Sequence, residues 1–321
     1  VSAIQFERVS QHYPGAARLA VDACSFEVEA GSFVVLLGPS GCGKTTLLKM
    51  VNRLREPTAG AIYLDGADVR QTDVTHLRRQ IGYVIQQVGL FPHMTVAQNI
   101  AVVPDLLGWP RDRIGTRIDE LLALVDLPPG EFRRRYPAQL SGGQQQRVGL
   151  ARALAGDPKF LLMDEPFGAL DALTRVNLQA ELRALQRRLK KTILFVTHDV
   201  EEALRLADRI VVMREGRIEQ HDTPLNLLTR PANAFVHNLV GADDIVRQLS
   251  LLCVDQVMEA LPPSFSPDGR PTVAADDDLR HALSVLLRMG AAELIVLGDS
   301  GPVGVLTLDR IRAAAHHVEP A

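Results

Sequence analysis

Hydrophobic and polar positions alternate between two periods over most of the chain. Residues 1 to 37 read as strands, ending in "SFVVLL" (Ser32 to Leu37), a short apolar, β-rich run suited to a buried strand. "KTTLLKMVNRL" then switches to helical spacing, and "AGAIYLDGADV" reads as a hairpin with Asp65-Gly66 at its turn. Residues 93 to 155 are mostly helical in pattern, with breaks expected at Pro104, Pro110 and the Pro128-Pro129 pair. "KFLLMDE" (Lys159 to Glu165) is another buried strand, "LTRVNLQAELRALQRRL" a long amphipathic helix, and "TILFVTHD" a strand again. This alternation predicts an α/β domain with a mostly parallel sheet and an inserted helical block at about 93–155.

The character changes after about residue 240, so the pattern predicts one domain over 1–240 and a smaller one over 241–321. "LPPSFSPDGRPT" is rich in Pro, Ser and Gly and reads as a loop. A compact helix–strand–strand–helix pattern follows, ending near Ala315. Leu279, Ala282, Leu283, Leu286 and Leu287 are placed on one helix face. "ELIVL" and "VGVLT" read as strands joined by Gly298-Asp299-Ser300-Gly301. There are no heptads and no long repeats.

Composition narrows the class. With 321 residues, 46% hydrophobic and 23% charged, the chain can bury a core as one large or two ordinary domains. A net charge of −3 gives no electrostatic case for nucleic acid. No apolar run reaches the roughly 18 residues of a membrane span, and "VSAIQFERVS" lacks the basic-then-apolar order of a secretion signal. Cys24, Cys42 and Cys253 are odd in number and far apart, which fits reduced thiols in a cytosolic protein better than a disulfide framework.

Two stretches look built for anions. "GPSGCGKTT" places Gly38, Gly43, Lys44 and Thr45 in the order G-x-x-x-x-G-K-[ST], between an apolar strand and a helix. Its glycines let backbone N–H groups wrap phosphates, and the helix offers its positive end. Lys44 is expected to reach the β- and γ-phosphates and Thr45 to ligate Mg²⁺. "LSGGQQQR" sets Ser141, Gly142, Gly143 and Gln144 before a second helical pattern, where a hydroxyl and free N–H groups also suit a phosphate. Read alone, it is equally a flexible turn capping that helix. "FLLMDE" ends a buried strand in two carboxylates. Asp164 suits a water-mediated Mg²⁺ contact, and Glu165 suits orienting and deprotonating an attacking water. His198 and Gln86 each follow a strand, where they are either ordinary polar caps or γ-phosphate contacts.

Taken in order, the phosphate loop, Gln86, LSGGQ, "FLLMDE", "GALD" and His198 resemble the ATP-binding subunit of an ABC transporter over residues 1 to about 240. The resemblance implies a P-loop NTPase fold, a RecA-like core with an inserted helical subdomain. It implies that ATP and Mg²⁺ are bound and ATP hydrolysed. The whole run Gly38, Pro39, Ser40, Gly41, Cys42, Gly43, Lys44, Thr45 and Thr46 would hold nucleotide, and Tyr13 would stack on adenine. Gln86 would touch Mg²⁺ and the attacking water and sense the permease. Asp171 would link two active sites, and His198 would be the switch histidine on the γ-phosphate. In this family two such subunits pair head to tail, so Ser141, Gly142, Gly143 and Gln144 would serve the partner's nucleotide. That accounts for two anion motifs in one chain.

"QQVGLFPHMTVAQNIAVVP", "RPANAFVHNLVG" and the tail resemble the quaternary-amine importer group, which takes up glycine betaine, choline and related osmoprotectants. The implied partners are a homodimer twin, integral-membrane permease subunits and a separate solute-binding protein, with no nucleic acid. The implied location is the cytoplasmic face of the plasma membrane, held peripherally. Competing readings are an importer of another solute such as an amino acid, a soluble ABC ATPase of DNA repair or translation, and a nucleotide sensor without turnover. Against the second stands the lack of a long coiled coil or a fused second cassette, and against the third the presence of Glu165.

The tail resembles one CBS motif, with "CVDQVM" as its lead-in. Nucleotide-binding members place an Asp three residues after a Thr or Ser in "GVxT"; counted from Thr307 that position is Arg310, and the acid is Asp309. A regulatory role by docking is therefore expected in place of adenosine binding, with Asp276, Asp277 and Asp278 at one end and Arg310 and Arg312 at the other as charges that salt can screen. Other features are read plainly. "FRRRYP" is taken as a solvated helix face, His316-His317 as a frayed tail and Trp109 as packing. Cys42 is either a thiol acidified by the helix N-terminus or a small side chain that fits.

Overall fold

The computed structural model describes residues 2–86, 89–168, 170–261, 270–299 and 301–316. The chain divides into two compact units, Val1–His221 and Asp222–Ala321. The sequence pattern changes about twenty residues later. The difference is two helices, Pro224–Thr229 and Ala234–Val240, which pack on each other and fall with the C-terminal unit.

In the first unit, β1 (Ser2–Gln11) and β2 (Val21–Glu29) pair antiparallel; β2 alternates buried with exposed positions over Cys24–Glu29, while register shifts break the alternation in β1. Phe6 stacks on Phe26 across them at 4.1 Å between ring centres. β3 (Phe33–Leu37) is buried at every position and leads through the glycine loop into α1 (Lys44–Val51). β4 (Ala59–Leu64) and β5 (Ala67–Asp68) form the expected hairpin, with Asp65 and Gly66 at φ 48° and 80°. Two successive positive φ angles are what a tight hairpin turn demands. After α2 (Val74–Arg79) comes β6 (Ile81–Val84).

The inserted helical block is α3 (Val96–Leu106), α4 (Arg111–Leu124), α5 (Pro129–Phe132) and α6 (Gly142–Leu154). Pro110 and Pro128 stand at helix starts as expected, but Pro104 lies inside α3 and does not break it. It sits in the last turn, where only one internal hydrogen bond is forfeited, and its ring is buried. The core then resumes with β7 (Phe160–Asp164), α7 (Ala172–Leu189), β8 (Thr192–Thr197), α8 (Val200–Leu206), β9 (Arg209–Arg214) and β10 (Arg217–Asp222).

The main sheet has the order β10-β9-β3-β8-β7-β6, and β9, β3, β8, β7 and β6 run parallel. Its central strands are buried on both faces, which is why they read as unbroken apolar runs. β2, β1, β4 and β5 form a separate antiparallel sheet, and one core joins it to the main sheet through Phe6, Val21, Leu36, Leu47 and Leu162.

The C-terminal unit begins with α9 (Pro224–Thr229), α10 (Ala234–Val240) and α11 (Ile245–Leu249). β11 (Glu259–Ala260), β12 (Thr272–Ala274), α12 (Leu279–Met289), β13 (Glu293–Gly298), β14 (Gly301–Thr307) and α13 (Leu308–His316) follow, the last four in the predicted order. The sheet order is β11-β14-β13-β12. Leu279, Ala282 and Leu286 are buried and Leu283 packs partly against them, but Leu287 is 69% exposed. At 100° per residue it falls on the flank of the apolar face. Most of the Pro/Ser-rich stretch (262–269), Ser300 in the β13–β14 turn and His317 lie outside the described residues, as do Gln87, Val88 and Ala169 within quoted motifs.

Candidate functional site

The C-terminal ends of β3, β8, β7 and β6 lie side by side, and four loops start there. This is where open parallel sheets place their ligands. β3 delivers Gly38, at φ 155°, where a Cβ would meet Met213 O at 2.2 Å and Cys42 Sγ at 2.9 Å. Gly43 caps α1 at φ 107°, and a Cβ there would meet Ala20 O at 2.4 Å. Both positions need glycine on contact and backbone grounds alike. Pro39, Ser40 and Gly41 between them are exposed, and a Cβ on Gly41 would meet nothing within 4 Å. The loop is thus a backbone cradle with an open side.

Lys44 is 4% exposed. Its Nζ donates to the carbonyls of Gly38 at 2.6 Å and Pro39 at 2.9 Å, and lies 3.7 Å from Cys42 Sγ. Among the described residues no carboxylate forms an ion pair with it. A buried ammonium satisfied only by loop carbonyls suits an incoming anion. Thr45 Oγ1 donates to Asp164 Oδ1 at 2.7 Å. Burial pushes the Asp164 carboxyl up, against the opposing pull of that hydroxyl. A hydroxyl and one carboxylate fit Mg²⁺, which takes few protein oxygens and completes its shell with phosphate and water. Among the described residues no cluster of three or more His, Cys, Asp or Glu could hold a metal unaided. Thr46 Oγ1 is 3.2 Å from Tyr13 Oη, and the Arg55 guanidinium lies 4.9 Å from the Tyr13 ring centre. That places Tyr13 at the edge of the cradle with Arg55 over its ring.

One residue past Asp164, Glu165 sits at φ 45°. A left-handed non-glycine residue is strained and persists only where its surroundings hold it; here Glu165 N–H donates to Val196 O at 3.0 Å. Its carboxylate gathers the ends of two neighbouring strands. Oε2 accepts from Gln86 Nε2 at 3.1 Å, and Oε1 lies 3.1 Å from His198 Nδ1. The structure thus brings Gln86, Glu165 and His198 into one cluster, beside the Asp164–Thr45 pair.

Ser141, Gly142, Gly143 and Gln144 stand apart from this cluster. Ser141 caps α6: its Oγ accepts from Gln144 N at 3.3 Å while Gln144 Oε1 accepts from Ser141 N at 3.0 Å. Among the described residues no hydrogen bond joins 141–144 to the loop 38–46. A Cβ on Gly143 would meet Thr174 Cγ2 at 2.6 Å, so glycine lets α6 approach α7. Asp171 caps α7 by accepting from Thr174 N at 3.0 Å, and that bond holds its carboxyl low.

The Cys42 thiol is not acidified. Burial pushes it up, outweighing Lys44 beside it. The arginines of "FRRRYP" lie past the end of α5, in a turn and not on the expected helix face: Arg133 binds Asp119 at 2.6 and 2.7 Å, Arg135 pairs with Glu131 at 2.6 Å while lying 4.6 Å over the Phe132 ring, and Arg134 is exposed. Trp109 packs under the Arg113 guanidinium, 3.6 Å from its ring centre.

This geometry has known counterparts. Residues 21–168 match the sequence model of the ABC transporter family. The chain is 46% identical to the choline transport ATP-binding protein OpuBA of Bacillus subtilis, over 98% of this chain and 82% of that one. It is 50% identical to the glycine betaine uptake system ATP-binding protein YehX of Escherichia coli, over 94% of this chain and 97% of that one. The chain belongs to the ABC transporter ATP-binding proteins. Among solved structures, the dimeric ATP-binding cassette MJ0796 in a post-hydrolysis state with ADP and Pi superposes with a TM-score of 0.61 at 32% identity, covering 69% of this chain and 98% of that one. The fold is therefore the P-loop α/β fold of ABC ATPases, and the activity is hydrolysis of ATP with Mg²⁺.

In this ABC ATPase Arg175, Asp199 and Glu202 belong to none of the motifs, and only the fold shows what they touch. Arg175 Nη2 donates to Leu170 O at 3.1 Å, and its Nη1 lies 3.4 Å from Asp199 Oδ2. Glu202 is 5% exposed, with a carboxyl that burial pushes up. Their one mark in the sequence is the four-residue spacing of Arg175, Gln179 and Arg183 on α7. Among the described residues no helix is long and apolar enough to cross a membrane.

Proposed function

We propose that this ATPase energises import of a quaternary-amine osmoprotectant such as glycine betaine or choline. It works as a head-to-tail homodimer on separate permease subunits fed by a solute-binding protein, held peripherally at the cytoplasmic face of the plasma membrane. The observation that carries the reading is that likeness to choline and glycine betaine relatives runs nearly the whole chain, tail included. Cassettes for unrelated cargo need share only the ATPase unit.

In this reading Lys44 and the backbone of Gly38 to Thr46 hold the phosphates, Tyr13 stacks on adenine, and Thr45 and Asp164 hold Mg²⁺. When bound, Mg²⁺ neutralises charge on the β- and γ-phosphates. Glu165 takes a proton from the attacking water, supported by its place between Gln86 and His198. Gln86 also contacts Mg²⁺ and His198 meets the γ-phosphate. The exposed Ser141 hydroxyl and the α6 N-terminus close on the γ-phosphate held by the partner, and Asp171 links the two sites. The C-terminal unit regulates by docking, with Arg310 bound to Glu259 in place of a ribose.

The test is uptake into vesicles holding the chain with its permease and binding protein. ATP-dependent uptake of labelled glycine betaine or choline is expected. Uptake of an amino acid with none of a quaternary amine overturns the cargo; no ATP-dependent uptake of any solute overturns the importer.

A further inference from the structure

Helix α7 begins just after Asp171 and carries Arg175, Gln179 and Arg183 at four-residue spacing, along one face. That face meets the residues that follow His198. Arg175 lies against Asp199, Gln179 Nε2 donates to Glu202 Oε1 at 3.0 Å, and Arg183 pairs with Asp208. The other oxygen of Asp208 accepts from Phe33 N at 2.7 Å, at the start of the strand that leads to the phosphate loop. A polar seam thus runs along α7.

Arg175 stands at the end of the seam nearest the site and touches two loops at once. Its Nη2 donates at 3.1 Å to the carbonyl of Leu170, the residue before Asp171. Its Nη1 lies 3.4 Å from Asp199 Oδ2, on the residue after His198. Asp199 is itself fixed, since Oδ1 caps α8 by accepting from Glu202 N at 3.1 Å and its own N–H donates to Thr197 Oγ1 at 3.0 Å. Arg175 is about a third exposed, with a side-chain value of 32%, so as a bare ion pair it would add little stability. Its distinctive property is bridging: two N–H groups on separate nitrogens of one rigid plane hold two loops at a set distance.

We propose that Arg175 is a positioning residue for ATP hydrolysis, tying the loop that ends at Asp171 to the turn that carries His198. Movement of Asp171 against a partner is then transmitted to the histidine beside Glu165. The inference rests on the site roles given above and adds to them a residue that acts through Leu170 and Asp199.

The test is steady-state ATP hydrolysis by the full-length chain carrying Arg175→Ala, Arg175→Lys, Asp199→Asn, or Arg175→Ala with Asp199→Asn. Asp199→Asn keeps the oxygen that caps α8 while removing the charge facing Arg175. Misplacing a reacting group by about 1 Å can cost roughly 100-fold. We therefore expect kcat to fall about tenfold or more in each Arg175 variant, with KM for ATP within about twofold. Lysine should not rescue, and the double variant should be no slower than the slower single one, because both changes cut one link. Either Arg175 variant with kcat within about twofold of the unaltered chain, a loss carried by KM, or multiplying losses in the double variant would overturn the proposal. If Arg175→Ala fails to fold, Arg175→Lys and Asp199→Asn decide. Glu165→Gln runs alongside. Full turnover there sinks the site roles themselves, whereas a dead Glu165→Gln beside fully active Arg175 variants sinks the positioning role alone.

Discussion

Replacing Glu165 with glutamine isolates the charge of the assigned base. The two side chains have one shape, so the backbone at φ 45° is asked for nothing new. Of the two 3.1 Å contacts, one amide oxygen keeps the contact to His198. Gln86 recovers the other by turning its own amide, so that its oxygen faces the new NH₂ group. A hydrogen bond is worth about 1 kcal/mol net, so stability should shift by roughly that or less. The rate should suffer far more than the stability. A positioned general base contributes about 10²–10⁴, which is roughly 2.7–5.4 kcal/mol of barrier. Phosphate release at saturating ATP and Mg²⁺ should therefore fall at least about a hundredfold. Nucleotide affinity should persist, because Lys44, Thr45 and the loop glycines are untouched. Turnover within about tenfold of the unaltered chain, with ATP still bound, would refute the role of Glu165 as base.

Other expectations can be checked directly. Maleimide at neutral pH should modify the half-buried Cys253 well before Cys42, whose burial and raised pKa keep thiolate scarce; inhibition that tracks Cys42 labelling at neutral pH would contradict this. The Cys24 thiol is pushed by burial from 9.0 to about 11. Its folded pKa lies above its unfolded one, so its contribution is intact below about pH 9 and lost as pH rises toward 11, with a ceiling of roughly 3 kcal/mol. Urea midpoints at pH 8 and 10.5 should therefore diverge less in Cys24→Ala, and identical pH slopes would refute it. Cysteines placed at Ser40 and Ser141, both exposed, should cross-link between chains when ATP is present; linkage confined to single chains defeats the head-to-tail dimer. Changing Asp276, Asp277 and Asp278 together to Asn spares the bonds to Ala274 N and His281 N but removes three charges. It should shift the salt response of transport, and an unchanged response rules out screening at these residues.

The parts legible in the sequence are those whose cause is local. Glycine at positions 38 and 43 follows from contacts of the loop with Met213 O and Ala20 O, and the motif spacing encodes that requirement. Buried strands read as apolar runs because both faces of the sheet are covered. The cluster of Gln86, Glu165 and His198 is not local. Each ends a different strand, and only strand order brings them together, so family resemblance was needed to join them. The link from Arg175 to Asp199 was invisible for the same reason, since a charged residue on a helix face reads as solvated until its partner is known. Cys42 shows the opposite failure. A local rule, acidification at a helix start, is outweighed by burial against the sheet.

The two anion motifs differ in what each leaves unspent. In the first, the cation is buried and the backbone cradle is open on one side, a shape that suits a phosphate. In the second, the Ser141 hydroxyl accepts from its own helix, leaving its proton for another acceptor, and the residue is exposed. One motif encloses and the other presents. Among the described residues no hydrogen bond joins the two within one chain. In the proposed head-to-tail dimer a second copy would supply to each cradle what its own chain points away. Asp171 caps the helix that carries Arg175, and Arg175 reaches the turn of His198. A contact made by a partner at Asp171 would then be felt at the base within the same chain. On that proposal ATP binding and partner engagement would be one event, which is what driving transport by hydrolysis requires.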